Sequence, residues 1–408
     1  MKIFLHDFGA YPFTVELAET LARRGHAVVH CYCGSLPTTP NAITTDTLKH
    51  GAAKNLVIHL SSPIQKGAFL RRFALEREYG AKLAEAIKCE KPDIVVMGNT
   101  PLDSLLVIQQ AIKQVGASFV IWVQDLLGEA ALKLLPKKIG AAGKLIGQYY
   151  RYQEGRLFAR ADHLIPITDD FSPAFRRAGI PPERWTTIPN WAPLSAVEPQ
   201  AKNNSWAQEH GLIGKFVFLY SGTLGFKHNP ELLLALARAL AQRKNAIVVV
   251  NSEGEAARWL QEASDTEGLS QYLQINGFQP FARISETLAS ADVLLSILEP
   301  DASEFSVPSK VLTNLCAGRA QLLAVPENNL AAKLVHENQA GLICDPIDQA
   351  QFIAHALTLL DSVEAGQAMG RRAREFALSE FCIDRIADRF ESVFLEAITA
   401  TRRRRQPL

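Results

Sequence analysis

The sequence predicts an α/β protein of two Rossmann-like, doubly wound domains facing each other across a cleft, and three observations carry that reading. A hydrophobic strand, Lys2-Ile3-Phe4-Leu5-His6-Asp7, runs into Phe8-Gly9 and then into an amphipathic helix through Leu17, Leu21 and Arg24. The pattern returns half a chain later, where Phe216-Val217-Phe218-Leu219-Tyr220-Ser221 meets Gly222-Thr223-Leu224-Gly225 and a helix over 231–243. Each is the opening strand–turn–helix unit of a parallel sheet, whose ligands bind at the carboxyl ends of the strands. Finally, 408 residues exceed what one ordinary core holds, so two domains are expected.

Bulk composition narrows the function classes. A chain that is 48% hydrophobic and 21% charged is globular, neither disordered nor fibrous. A net charge of +1 excludes a nucleic-acid partner held by overall charge. The first twelve residues hold one lysine, a short apolar run and no small-residue cleavage site, so they read as a buried strand. No apolar stretch approaches the roughly 18 residues of a spanning helix, and the expected location is the cytoplasm. Six cysteines are scattered through the predicted elements. Cys31 and Cys33 lie two apart without a second pair or a nearby histidine, so buried reduced thiols are expected and no metal set.

Strands are predicted at 28–32, 93–97, 119–123 and 163–167, with helices at 69–87, 104–115 and 144–159 between them. Such alternation builds a parallel sheet covered on both faces. Ile188-Pro189-Asn190-Trp191-Ala192-Pro193, Pro199 and Lys202-Asn203-Asn204 then give an extended, hinge-like connector. From Lys215 the alternation restarts. Strands fall at 246–250, 273–276, 293–297, 321–325 and 342–344, and helices at 256–263, 284–289, 309–316, 329–337, 350–360 and 364–378. A final amphipathic helix over 383–399 precedes Arg402-Arg403-Arg404-Arg405. The domain reading is therefore 1–190, a linker at 191–204, a second domain at 205–380, and a terminal helix with a basic tail at 381–408 that can pack back on the first domain.

Two turns carry the expected chemistry. In the loop Ser221-Gly222-Thr223-Leu224-Gly225-Phe226-Lys227-His228, glycines let backbone N–H groups approach a phosphate, and Lys227 adds a full charge. Asn229 suits an N-cap and Pro230 a first helical position. The plain alternative is a tight turn with a solvated lysine. The second segment runs from Glu304 through Phe305, Pro308, Ser309 and Lys310 to Ala317-Gly318-Arg319. Ser309 suits a cap, and Gly318 suits the left-handed position that ends a helix. Lys310 in a first turn opposes the helix dipole, which a bound anion would justify; a solvated lysine on a short helix is the alternative. Lys227 and Lys310 at two turns of one sheet could clamp a diphosphate.

In these marks the chain resembles the retaining glycosyltransferases of family 4, which place two Rossmann-like domains in the GT-B arrangement. The resemblance spans nearly the whole length. It rests on the Gly9 turn, Ile188-Pro189-Asn190-Trp191, the loop from Ser221 to Lys227, Asn276-Gly277-Phe278, Ala291-Asp292-Val293, Pro308-Ser309-Lys310 and Ala317-Gly318-Arg319. Val123-Gln124-Asp125 and Pro308-Ser309-Lys310 are similar to the branch that builds bacterial surface polysaccharides and glycolipids. The resemblance implies transfer of a hexosyl-type sugar, with retention, from a nucleoside-diphosphate sugar to a carbohydrate or lipid-linked acceptor. No metal or other cofactor is implied beyond the donor itself. The donor would lie in the C-terminal domain, with Ser221, Gly222, Thr223, Lys227 and Lys310 around its diphosphate. Phe278 would face the base, and Pro308, Ser309 and Lys310 would bring a helix N-terminus to the phosphates. Gly9 would let the N-terminal domain approach from the other side.

One departure stands out. The family usually carries two glutamates eight positions apart, the second five residues before the helix-ending glycine. Counting back from Gly318 puts Thr313 and Phe305 at those positions, with Glu304 one residue off register. Either Glu304 substitutes through a shifted loop, or donor contacts differ. Asp125, at a strand end, suits an active-site carboxylate or a helix cap. His6 and Asp7 suit the cleft or satisfied structural roles. The family's leaving phosphate can take the acceptor proton, so no protein base is required.

Lys133, Lys137, Lys138, Lys144, Arg151, Arg156 and Arg160 are interleaved with Leu134, Leu135, Ile139, Leu145, Ile146, Tyr149, Tyr150, Leu157 and Phe158. A basic amphipathic stretch of this kind suits an anionic membrane surface, here the inner face of the cell membrane, or a solvated domain face. The arginine run at 402–405 suits lipid contact or a disordered tail. Two rivals share the architecture: a sugar-nucleotide epimerase, and a non-catalytic nucleotide-sugar-binding homologue.

Overall fold

A computed structural model describes residues 1–36, 53–62, 69–243, 245–298 and 308–405; the side chains of residues 69, 70, 227 and 405 are not described. The chain forms two units, Met1–Asn190 with Ile383–Leu408, and Trp191–Cys382.

The first unit alternates β1 (Lys2–Asp7), α1 (Pro12–Arg23), β2 (Ala27–Cys33), β3 (Ala53–Ile58), α2 (Phe69–Glu90), β4 (Ile94–Gly98), α3 (Leu102–Val115), β5 (Ser118–Val123), α4 (Leu127–Arg160), β6 (His163–Pro166) and α5 (Ser172–Arg177). Its strands lie in the order β3-β2-β1-β4-β5-β6, and every pairing is parallel. That is the order of a Rossmann sheet, with its topological switch point between β1 and β4. Strand β1 is buried from Ile3 to Asp7, as a strand covered on both faces must be. Strand β3 went unread in the sequence because Ala53-Lys54-Asn55 breaks the apolar run of this edge strand.

The second unit holds α6 (Ser205–Glu209), β7 (Phe216–Ser221), α7 (Glu231–Leu240), β8 (Ala246–Asn251), α8 (Glu255–Thr266), β9 (Leu273–Asn276), α9 (Ile284–Ala289), β10 (Val293–Ile297), α10 (Ser309–Cys316), β11 (Ala320–Ala324), α11 (Leu330–Glu337), β12 (Gly341–Cys344), α12 (Gln349–Asp361) and α13 (Val363–Glu380). The strand order β12-β11-β10-β7-β8-β9 repeats the first sheet's topology, with the switch point between β7 and β10. Helix α7 buries Leu232, Leu233, Leu234, Leu236 and Leu240 against Phe218, Val248 and Leu322. Each such side chain contributes about 1.5–3 kcal/mol over an exposed position. Residues 191–204 fall within this unit: Trp191 is buried and Glu198 N–H donates to Ser285 Oγ at 3.1 Å.

The last helix, α14 (Ile383–Arg405), belongs to the first unit. Arg24, just after α1, bridges Asp388 and Glu391, both at 2.6 Å, and Phe390 packs edge-on to Trp122 with centroids 5.0 Å apart. The arginine run is therefore not a disordered tail. The helix continues through Arg405, and Arg404 pairs with Asp162, which also accepts from Phe119 N–H at 2.7 Å.

Helix α4 differs most from its sequence reading. Ile139 (φ −134°) and Gly140 (φ 57°, ψ −136°) interrupt it. A Cβ on Gly128 would lie 2.6 Å from Arg151 Cα, one on Gly147 2.6 Å from Leu132 Cα, and one on Gly143 would strike Leu135 O. Those pairs share a nearly constant sum of residue numbers, so the limbs 127–138 and 141–160 run antiparallel in backbone contact. The stretch is a glycine-packed helical hairpin, not one basic helix.

Candidate active site

In the second unit, β7 ends at Ser221, and Gly222 turns the chain at φ 132°, a backbone conformation that side-chain-bearing residues rarely adopt. Gly222 N–H donates to Asn251 O at 3.0 Å, and Leu224 N–H to Ser252 Oγ at 3.1 Å, so the tip of β8 holds the loop. Phe226–His228 forms a single 3-10 turn that carries Lys227, and Gly225 N–H donates to His228 Nδ1 at 3.1 Å. Asn229 is not the N-cap expected of it. It takes the left-handed conformation (φ 44°), its side-chain amide donates to Pro346 O at 3.0 Å, and Pro230 occupies the cap position of α7.

On the other side of the switch point, residues 299–307 lie outside the described residues, and with them Glu304 and Phe305. Pro308 occupies the cap position of α10 and provides no side-chain bond, so Ser309 is the first helical residue and not the cap. Among the described residues no side chain caps the first turn of α10. Lys310 reaches over β7. Its Nζ donates to Tyr220 Oη at 2.7 Å, sits 4.0 Å from the centre of that ring, and lies 3.4 Å from where a Cβ on Gly222 would be. Tyr220 Oη donates in turn to Thr223 O at 2.7 Å. Burial lowers the Lys310 amine to about 8, because the ammonium form is desolvated there.

Four residues thus converge at the switch point: Gly222, Thr223, Lys310 and Tyr220. Tyr220 was missed in the sequence because, inside an apolar strand, it reads as core. Ser221 is half-buried and Thr223 exposed at the same turn. Thr313 Oγ1 donates to Ser309 O at 3.0 Å, so its hydroxyl proton is engaged within the helix and only its lone pairs remain for a ligand. Phe278 is half exposed on the loop after the edge strand β9. Its N–H donates to Glu253 Oε1 at 3.0 Å, a second residue the sequence reading missed. Asp292 is structural: it accepts from Val217 N–H at 2.7 Å and pairs with Lys202. Gly318 ends α10 in the left-handed conformation, φ 65°.

The switch point of the first unit gathers Asp7, Gly9, Asn99, Thr100 and Asp125. His6 is a satisfied core residue, 2.8 Å from both Tyr79 Oη and Thr100 Oγ1, and burial lowers its ring to about 3, keeping it neutral. Asp7 accepts from Gly9 N–H at 2.8 Å and Tyr11 N–H at 2.7 Å; burial nevertheless raises it to about 6. A Cβ on Gly9 would meet the Tyr11 ring at 2.8 Å, so the glycine makes room for that ring. Burial raises the Asp125 carboxyl to about 6. Gln124 and Asn190 exchange side-chain amide bonds at 2.6 and 3.2 Å, which ties the segment after β5 to the end of the unit's first stretch of chain.

Residues 8–191 match the model of the glycosyl transferase 4-like domain, and residues 203–376 that of glycosyl transferases group 1. The chain belongs to the family 4-type glycosyltransferases. Solved structures share the fold of this glycosyltransferase at low identity. HepE of Anabaena, crystallised with UDP-glucose, superposes with a TM-score of 0.69 at 16% identity, covering 96% of this chain and 98% of that one. Sucrose-phosphate synthase from Thermosynechococcus elongatus gives 0.74 at 15% identity over 98% and 100%. A putative UDP-N-acetylglucosamine 2-epimerase from Listeria monocytogenes gives 0.67 at 15% over 97% and 98%. No curated protein sequence matches the chain. The two parallel six-stranded sheets are the two Rossmann-like domains of the GT-B fold.

Proposed function

We propose that this glycosyltransferase moves a hexosyl-type sugar, with retention, from a nucleoside-diphosphate sugar to a carbohydrate or lipid-linked acceptor in bacterial polysaccharide or glycolipid assembly. The observation that carries the donor reading is the Lys310 ammonium, 3.4 Å from the Cβ position of Gly222 at a Rossmann switch point. There a cation, a glycine turn that lets a ligand approach the backbone and the start of a helix meet, which suits a diphosphate. HepE, a structure of the same fold, was crystallised with UDP-glucose, which supports a donor of that class.

In this reading Lys310, Lys227 and the N–H groups of the Ser309–Lys310 turn hold the diphosphate and stabilise its charge as the sugar leaves, and Gly222, without a side chain, leaves room for it. Ser221, Thr223 and Thr313 supply further polar contacts, Phe278 meets the base, and Pro308 sets the start of α10. Glu304 is the candidate carboxylate for the ribose. In the other unit Gly9 and Asp125 belong to the acceptor side. No metal takes part, so EDTA should leave the rate unchanged. The enzyme works in the cytoplasm and attaches peripherally to the inner membrane face, supported by Lys137, Lys138 and Lys144 beside exposed Leu134, Ile139 and Leu145 on the α4 hairpin. Among the described residues no helix is long and apolar enough to cross a membrane.

The test is incubation with a panel of nucleoside-diphosphate sugars and candidate acceptors. Transfer supports the proposal, isomerised donor without transfer would make the protein an epimerase, and neither would make it a binding homologue. Charge-assisted hydrogen bonds contribute roughly 1.5–3 kcal/mol, so Lys310→Ala or Lys227→Ala should weaken diphosphate binding by about one to two decades. Unchanged affinity in both variants would remove the assignment.

A further inference from the structure

The second unit contains a cavity of about 310 Å³ at the edge of its sheet opposite the glycine turn. Phe216 and Ala320, the first residues of β7 and β11, lie in its wall, whereas Gly222 and Lys310 lie beyond the carboxyl ends of β7 and β10. The six residues of β7 separate the two edges, about 17 Å at the rise of a strand. Charge in the cavity is one-sided. Lys202 and Asp292 pair with each other, which leaves two guanidinium groups, Arg319 and Arg371, lining the same space. Arg319 spends Nε and Nη2 on the carbonyls of Ala289 and Gln200 at 2.8–3.3 Å, contacts that orient the group without cancelling its charge. Among the described residues its Nη1 has no hydrogen-bond partner, and Arg371 has neither a hydrogen bond nor an ion pair. Burial pulls the Arg319 guanidinium below the ordinary arginine value, with the Asp292 charge opposing.

The other wall is open and partly apolar. Gly366 stands in the second turn of α13, where glycine weakens a helix relative to alanine. Packing does not require it: a Cβ there would meet only Ala320 Cβ and Leu359 Cδ2, both at 4.0 Å. What the missing side chain does is keep the cavity wide. Phe216 and the 43% exposed Val363 give it an apolar side, and Gln367 adds an amide. The volume is at the small end of ligand cavities and more than a bare phosphate fills. Guanidinium groups present a planar fork of donors that matches phosphate oxygens, and they hold their charge at any physiological pH. We propose that this cavity is a second ligand site, for a small phosphate monoester such as a sugar phosphate. Arg319 and Arg371 hold the phosphate, and the organic body lies against Phe216, Val363 and the open face of Gly366, with Gln367 placed for its hydroxyl groups. The site goes beyond the donor reading, which concerns the opposite edge of the sheet.

The experiment is calorimetry of the full-length protein with glucose 1-phosphate and glucose 6-phosphate, beside glucose and inorganic phosphate, with UDP present in excess to fill the donor site. At least one hexose phosphate should bind, glucose should not register, and inorganic phosphate should bind about tenfold or more weakly. Arg371→Gln removes a charge-assisted hydrogen bond and should weaken hexose phosphate binding by about ten- to a hundredfold. Gly366→Leu puts a better helix former in place and fills the cavity, so it should abolish that binding. Unchanged UDP affinity in both variants reports that they are folded. Lys310→Ala, titrated without UDP, should keep wild-type hexose phosphate affinity, so failure of the donor assignment leaves this result readable. Binding of neither hexose phosphate, inorganic phosphate or glucose binding as tightly as they do, or wild-type affinity in both cavity variants would overturn the inference.

Discussion

Lys310 Nζ donates to Tyr220 Oη at 2.7 Å and rests on the face of the same ring, so one tyrosine joins the central strand β7, the glycine turn and the start of α10. The contact orients the lysine without neutralising it. A carboxylate partner would have cancelled the charge that a diphosphate needs; a phenol and its ring fix the ammonium by a hydrogen bond and a cation–π contact and leave its positive charge available.

Tyr220→Phe keeps the ring but removes both hydrogen bonds of the hydroxyl, to Lys310 and to Thr223 O. We expect a stability loss of about 1–2 kcal/mol and nucleotide affinity reduced by about three- to tenfold, since the lysine loses its tether but not its charge. Equal affinity for UDP in calorimetry would show that the tether does no positioning.

Diphosphate affinity should fall as pH rises through about 8. Burial lowers the amine to that value in the free protein, and only the protonated form attracts phosphate. Above about 8 binding must first restore the proton, which weakens affinity by up to tenfold per pH unit. Calorimetry from pH 7 to 9.5 should show this slope in the wild type and lose it in Lys310→Met. Parallel curves for the two would remove Lys310 from the site.

Vesicles containing anionic lipid should sediment the protein at low salt, and neutral vesicles should not. Exposed charges are screened over about 8 Å at physiological ionic strength, so attachment should weaken with added salt. Replacing Lys137, Lys138 and Lys144 with glutamate should abolish it and leave donor binding intact. A wild type that ignores anionic vesicles at low salt would reduce the hairpin to a solvated surface.

Glu154 locks the hairpin from inside, accepting from Gly128 N–H at 3.1 Å while almost wholly buried. Burial raises it to about 7 from an ordinary 4.5. For an acid raised in the fold, the stability is present below 4.5 and is lost as pH climbs through 7, here roughly 3 kcal/mol. Glu154→Gln keeps the acceptor and carries no charge. Its Tm should therefore gain on the wild type from pH 5 to pH 8; curves that stay parallel would mean the carboxylate is already solvated.

Much of this protein was determined by its sequence. The glycine turns after Asp7 and Ser221, the two strand–helix series and the helix stop at Gly318 depend on neighbours in the chain, and periodicity and turn chemistry record those directly. The ends of elements were less legible. Asn229 and Ser309 have the residue types of caps, yet each was displaced because Pro230 and Pro308 fix the backbone at the cap position itself. The tertiary structure alone decided the pairs. Tyr220 and Lys310 are ninety residues apart, so no local pattern could make one the partner of the other. Gly128, Gly143 and Gly147 likewise read as weak helix formers until the second limb of α4 folds back onto the first. There the missing Cβ atoms permit backbone contact, and a stretch that sequence periodicity read as basic helix becomes a hairpin with an apolar tip. Periodicity records which face of a segment is buried, but what it is buried against is a property of the folded chain.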